Sequence, residues 1–393
     1  MNNFTFHRPT EFVFGKDAEL RAGELLNKYG AKKVLIHYGQ NSVIKSGLLA
    51  KIEKSLNDAN VSFVKLGGAV PNPVASLVYE GIDLCKKENV DFILAVGGGS
   101  AIDSAKAIAV GVKYDGDFWD LFVGKATAKS AIPVATVLTI PAAGSEVSAS
   151  SVITREATDS TPALKRGLTT DPMKPVFSLM NPELNYTLPK EQTANGVADM
   201  MSHIFERYFT NTTGVDITDG LCESILRTII KHAPIAIADP TNYDARANLT
   251  WAGMIAHDGS VGVGRQDDWG THMLEHELSA LYNVAHGAGL AVMFPNWMKY
   301  NMNHDLDRFV QFAVNVWGVE NTGSKEEVAL KGIQALQKFW SSLGLPLTFK
   351  ELGAKAEDIP TLVDTLRLNS GGSFSNFVKL DMEDAKKIYE LSL

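Results

Sequence analysis

Phe92-Ile93-Leu94-Ala95-Val96-Gly97-Gly98-Gly99-Ser100, running without a break into residues 101–110, is the stretch on which the fold turns. Five consecutive apolar residues read as a strand buried on both faces. Residues 101–110 carry a helical period instead, and the glycines between read as the turn joining strand to helix. Repeated along a chain, that order builds a parallel sheet with crossover helices. Apolar, β-branched runs at 34–37, 61–66 and 176–179 supply further strands. Between them the pattern predicts helices over 17–29, with Asp17 as an N-capping acid, and over 74–87, after the turn Pro71-Asn72-Pro73.

Beyond Pro189 the texture changes. Amphipathic stretches at 193–209, 216–238, 242–257 and 325–343 follow one another, and strand-like runs nearly disappear. The expectation is an α/β chain of two domains: a Rossmann-like parallel-sheet domain over 1–189, then an all-helical domain over 190–393. No repeat or long linker intervenes, so a ligand cleft between the two is expected. A length of 393 residues agrees with two domains, since one core stops growing below that size.

With 45% hydrophobic and 21% charged residues the chain is neither disordered nor fibrous. A net charge of −8 and the lack of a concentrated basic stretch argue against a nucleic acid or an anionic membrane as partner. Residues 1–14 do not read as a signal peptide, and no window holds the roughly 20 apolar residues of a membrane span. Cys85 and Cys222 are far apart, which predicts a cytoplasmic protein without disulfides.

A glycine-rich turn at a helix N-terminus suits a diphosphate, because the backbone lets an anion approach and the first N–H groups point at it. Asp103, in the first helical turn, either caps the helix or holds the ligand's ribose and amide. The spacing is not GxGxxG, and a glycine triplet can equally be a tight connection. Two other turns support the phosphate reading: Thr139-Ile140-Pro141-Ala142-Ala143-Gly144-Ser145-Glu146 and Tyr38-Gly39-Gln40-Asn41-Ser42. An acid near the latter would hold the adenosine ribose and repel a 2′-phosphate. None stands between Tyr38 and Ser46, and Lys45 is close by, so NADPH fits better than NADH.

Asp199 and His203 are four apart in a helical stretch and share a face. His272 and His276 repeat that spacing, and His286-Gly287 follows in a small-residue turn. One carboxylate with several imidazoles suits a divalent ion such as Fe(II) or Zn(II) with room for a substrate oxygen. A single histidine is more often packed than ligating, but three of the chain's 9 fall within 272–286. His7, His37, His232, His257 and His304 are read as structural. A bound cation would stabilise the negative charge that hydride transfer builds on an aldehyde oxygen. His276 is the candidate proton relay, with a structural imidazole as the alternative. Val152, Ile153, Phe205, Trp251 and Trp269 are candidates for an apolar substrate pocket, or else core residues.

Together these residues resemble the iron-dependent (group III) alcohol dehydrogenase family, most closely its NADPH-linked butanol dehydrogenase and aldehyde reductase branch. The resemblance rests on Phe12-Val13-Phe14-Gly15, Pro71-Asn72-Pro73, Gly97-Gly98-Gly99-Ser100 with Asp103 and Lys106, Gly144-Ser145-Glu146, Asn181-Pro182, and the Asp199 to His286 series. It implies a metal held by Asp199, His203, His272 and His286, with His276 as a non-ligand imidazole near the nicotinamide. It implies cofactor contacts at Gly39, Ser42, Gly98, Gly99, Ser100, Thr139, Ser145 and Lys165, an aldehyde or alcohol substrate, and a homodimer. A dehydroquinate synthase-like enzyme is the alternative, but it needs clustered Lys and Arg for a substrate phosphate, and only Arg265 lies near. A binding protein without turnover is a second alternative, and its loss of chemistry has no mark in the sequence.

Overall fold

A computed structural model of the chain describes every residue except Ala143, which falls within the predicted 139–146 stretch, and Ser160. The chain divides into two compact units: His7–Thr187, and Leu188–Leu393 joined by Met1–Phe6. The first six residues, expected in the sheet domain, belong to the helical unit. There the Met1 ammonium donates to Thr213 O (2.7 Å) and the Asn2 N–H to Gly264 O (2.7 Å).

The His7–Thr187 unit holds strands β1 (Glu11–Phe14), β2 (Lys33–Tyr38), β3 (Ser62–Leu66), β4 (Phe92–Gly97), β5 (Val134–Leu138), β6 (Ser150–Arg155), β7 (Leu164–Thr169) and β8 (Phe177–Met180). Six of them form one sheet in the order β1-β8-β5-β4-β2-β3, and every pairing in it is parallel. The four inner strands are almost wholly buried, which is why they read as continuous apolar runs, while edge strands β1 and β3 are mostly half-buried or exposed. From β2 the chain steps outward to β3 and then returns to β4 on the other side of β2. Strand order therefore reverses between β2 and β4, and ligands of such sheets bind outside the carboxyl ends at that point. The glycine turns at Gly39 and at Gly97–Gly99 follow those two strands.

Two expectations need correction here. Asp17 caps nothing: it lies in the left-handed region (φ 59°) and precedes a 3-10 turn, so the first α-helix is only Ala22–Lys28. The antiparallel pair β6–β7 was not foreseen, because its strands mix polar and charged residues with few apolar ones.

The other unit is helical, with helices Lys190–Tyr208, Asp216–Ala238, Tyr243–His257, Gly270–Tyr282, His286–Asn301 and Lys325–Ser342 among its elements, plus a short strand pair at Ser373–Phe374 and Leu380–Asp381. Phe205 is fully buried against Phe209, Phe294, Phe312 and Trp340, which makes it core rather than pocket wall. Among the described residues no helix is long and apolar enough to cross a membrane.

Candidate active site

In the sheet unit, helix Gly99–Val112 starts at Gly98 with no side chain capping it. The N–H groups of Gly99 and Ser100 therefore stand at the positive end of a 14-residue helix, the arrangement that receives a phosphate. A Cβ on Gly98 would lie 2.9 Å from the Ile140 side chain, so glycine lets the two turns close together. Thr139 joins them, its N–H donating to Gly97 O (3.0 Å). Gly39 and Ser42 follow β2, and Gln40, Asn41, Ser42 and Lys45 are all exposed.

Asp103 does not cap the helix. Its carboxylate accepts from Ser145 Oγ (2.5 Å) and from the Val152 N–H (2.9 Å), so it fastens the segment after β5 to the glycine turn's helix. Beneath it Lys106 is fully buried, and its ammonium donates to Ser145 Oγ (3.0 Å), Ser148 O (2.9 Å), Ser148 Oγ (3.2 Å) and Ser150 O (2.9 Å). Burial lowers this ammonium to a pKa of about 8 against the pull of Asp103 and Glu146. Lys165 is also buried, and donates to Asn72 Oδ1 (3.1 Å).

In the helical unit, Lys190–Tyr208 carries Asp199 and His203, Gly270–Tyr282 carries His272 and His276, and His286 opens the next helix. Asp199, His272 and His286 each present a ligand atom within 4.8 Å of the others. His203 stands beside this trio, its ring centroid 4.7 Å from that of His272, with Nδ1 against Asp199 O (2.9 Å) and Oδ1 (3.0 Å). His276 is half-buried, its ring centre 5.7 Å from that of His286. At the centre His272 Nε2 is buried without a hydrogen-bond partner, and the buried Asp199 Oδ1 faces His203 Nδ1 (3.0 Å) and His286 Nε2 (3.9 Å). Buried polar atoms are rarely left so, and an anionic oxygen facing imidazole nitrogens is the donor set of an Fe(II) or Zn(II) site. The residues therefore fit a divalent ion.

Two carboxylates decide which nitrogen faces that centre. Glu206 accepts from His272 Nδ1 (2.7 Å) and also from the His272 and Trp269 N–H groups (2.9 and 2.8 Å). His286 Nδ1 donates to Glu275, which Ser279 Oγ also contacts. Each imidazole is thus left with Nε2 for a ligand bond. Burial, with His203 and His286 adjoining, pushes the His272 pKa well below its usual value and keeps the ring neutral. Burial opposes ionisation of Asp199, yet the adjacent His203 and His286 bring its pKa below the ordinary carboxylate value. Burial beside Asp268 raises Glu206.

Sequence reading missed Glu206 and Glu275, and took His257 as structural. The His257 ring lies 4.4 Å from that of His203 and its Nδ1 meets Arg207 Nη2 (2.8 Å). A carboxylate three residues after a histidine also occurs on any solvated helix face, so no local signal marked these residues. Arg265, the base that the sequence offered for a substrate phosphate, is committed elsewhere: it donates to Arg207 O (3.0 Å) and Val215 O (3.3 Å) and pairs with Asp219 (2.8 Å). The dehydroquinate synthase-like alternative is not favoured.

Comparison with known proteins extends over the whole chain. Residues 9–182 match the family described as iron-containing alcohol dehydrogenase, and 193–393 match the C-terminal part of the Fe-containing alcohol dehydrogenase family. A probable NADH-dependent butanol dehydrogenase of Bacillus subtilis is 43% identical over 100% of both chains. An NADPH-dependent aldehyde reductase of Escherichia coli is 36% identical over 99% of both. The crystal structure of an NADH-dependent butanol dehydrogenase from Thermotoga maritima superposes with a TM-score of 0.96 at 41% identity, covering 100% of this chain and 99% of that one.

Proposed function

Because the chain belongs to the iron-containing alcohol dehydrogenase family, and so is an oxidoreductase of alcohols and aldehydes, we propose that it reduces short straight-chain aldehydes to primary alcohols with NADPH and one divalent metal ion. The observation that carries the metal reading is the buried, partnerless His272 Nε2, with ligand atoms of Asp199, His272 and His286 within 4.8 Å of one another. Asp199, His203, His272 and His286 would hold the ion, with Fe(II) preferred and Zn(II) accepted by the same donors. Bound there, it supplies Lewis-acid stabilisation of the charge that develops on the aldehyde oxygen, worth several kcal/mol.

The remaining work falls to the chain's own groups. Glu206 and Glu275 orient His272 and His286 through Nδ1. The Gly99 and Ser100 N–H groups receive the cofactor diphosphate at the uncapped helix, with Gly39, Ser42, Gly98, Thr139 and Lys165 around it. Ser145 and the Val152 N–H fix Asp103 so that its direction does not change as the cofactor enters. His276, half-buried, passes a proton to the nascent alcohol oxygen. With no carboxylate between Tyr38 and Ser46, nothing there repels a 2′-phosphate. The names of the relatives carry both cofactors, and this turn is what favours NADPH here.

One purified sample tests the reading. Metal content should be one ion per chain, and butanal should drive faster oxidation of NADPH than of NADH. Equal or faster turnover with NADH refutes the cofactor preference, and an active His272→Ala protein without metal refutes the ligand set.

A further inference from the structure

Resting on the metal reading above, we propose that Glu275 is a positioning residue which fixes His286 as the Nδ1–H tautomer, with Nε2 toward Asp199, and thereby sets the affinity of the centre. Of the three imidazoles read as ligands, His286 is the least constrained by its own element. His203 and His272 sit within helices, whereas His286 is the first residue of its helix, entered through Asn283 in the left-handed region (φ 52°), Val284 and Ala285. Its side chain is 24% exposed, against 6% for each of the other two. Something outside that helix must hold the ring.

Glu275 does so. It is fully buried in the middle of Gly270–Tyr282, and its two oxygens are divided between Ser279 Oγ and His286 Nδ1. A buried carboxylate is costly unless its lone pairs are used. The sequence also makes room for it. Gly289, one turn after His286, approaches so closely that a Cβ there would fall 2.7 Å from both Glu275 Cγ and Oε1. A glycine at 289 and a carboxylate at 275 thus form one fitted contact.

The same device occurs at His272, whose Nδ1 is held by Glu206 of helix Lys190–Tyr208. Glu206 ties the first of these helices to the second, and Glu275 ties the second to the third. An imidazole that donates Nδ1–H to a carboxylate is both oriented and made a stronger donor at Nε2. Glu275 also lies within 4.8 Å of ligand atoms of His276 and His286, so direct ligation by its carboxylate is the rival role that a test must separate.

The test uses full-length apoprotein, Zn(II) affinity measured against a competing chromophoric chelator, and the visible spectrum of the Co(II) form. Glu275→Ala should weaken Zn(II) roughly 10- to 100-fold and alter the Co(II) band, the range expected on losing such an outer partner. Glu275→Gln keeps an acceptor for Nδ1–H, so it should retain the wild-type band and lose less than about tenfold. Gly289→Ala keeps every ligand and the carboxylate, yet should also weaken the metal by displacing Glu275. Should Glu275→Ala fail to fold by circular dichroism, the other two variants decide the matter. Zn(II) binding within about threefold of wild type in Glu275→Ala, or in Gly289→Ala, overturns the proposal. So does a Glu275→Gln protein with a shifted Co(II) band or a loss above about tenfold, since a neutral acceptor would then not suffice. A wild-type protein that takes up no metal refutes the metal reading itself, which is a different result.

Discussion

Replacing Gly287 by alanine should damage the proposed metal centre without touching a proposed ligand. Gly287 follows His286 at the head of its helix, and a Cβ there would lie 2.0 Å from Asn195 O and 2.6 Å from Asn195 C. Ordinary contact begins at 3.4 Å, so the two backbones must part by the difference, 1.4 Å. Neither atom can rotate away, because both belong to the peptide of a residue inside helix Lys190–Tyr208, which carries Asp199 and His203 one and two turns further on. Overpacking of this kind costs about 1–3 kcal/mol of stability. The larger effect should be on chemistry, where a misplacement of about 1 Å lowers rate by about 100-fold. Thermal unfolding, metal content and steady-state NADPH oxidation with butanal, measured on one preparation, separate the two losses. A Gly287→Ala protein with wild-type metal content and kcat/KM would refute the claim that this contact sets the spacing of the two helices.

Three further outcomes are expected. Lys106→Met removes the ammonium shared by Ser145, Ser148 and Ser150 and leaves Asp103 without its buried partner, so urea unfolding should show a loss of about 3–5 kcal/mol, and an unchanged midpoint would contradict the role given to Lys106. His37 is wholly buried between Leu66 O (2.9 Å) and Ser104 Oγ (2.9 Å), and burial lowers its pKa from 6.5 to about 4. Because the folded pKa is depressed, the unfolded chain takes up the proton first. The contribution is therefore present above pH 6.5 and is lost as pH falls toward 4, amounting to about 3 kcal/mol; His37→Gln should flatten that acid limb of the stability profile, and an unaltered slope would exclude His37 as its source. Ser42→Asp places a carboxylate where a 2′-phosphate would lie, so KM for NADPH should rise at least about tenfold with NADH little affected, and an equal effect on both would show that the residue does not face that phosphate.

The architecture was legible wherever local pattern and tertiary role coincide. The apolar run at 92–96 is the innermost part of the sheet, and the stretch 216–238 is helix Asp216–Ala238 residue for residue, because one face of it must pack on the helical core. Elements stabilised by their neighbours were not legible: β6 and β7 pair with each other through polar residues, and Asp17 is in a conformation that its helix-capping character does not foretell. At the candidate centre, Asp199, His272 and His286 converge as the helical spacing suggested, and the helix that begins at Gly99 offers the uncapped N-terminus inferred from the glycines. Glu206 and Glu275 escaped notice because their significance lies in which other helix they touch. That information resides in the packing of three helices rather than in any window of sequence.

The head of helix Gly270–Tyr282 has an optical consequence. Trp269, its N-cap residue, is held in the left-handed region (φ 71°), a conformation costing an L side chain roughly 1–2 kcal/mol. The Arg207 guanidinium lies over its ring at 4.7 Å, and Glu206 accepts its N–H. So anchored, the indole stands with its centroid 5.8 Å from the His203 ring and 5.2 Å from the His272 ring. An open-shell ion such as Fe(II) quenches a fluorophore at that range, whereas closed-shell Zn(II) does not. In a variant that keeps Trp269 as its one indole, loading the proposed centre with Fe(II) should dim the emission relative to the Zn(II)-loaded protein.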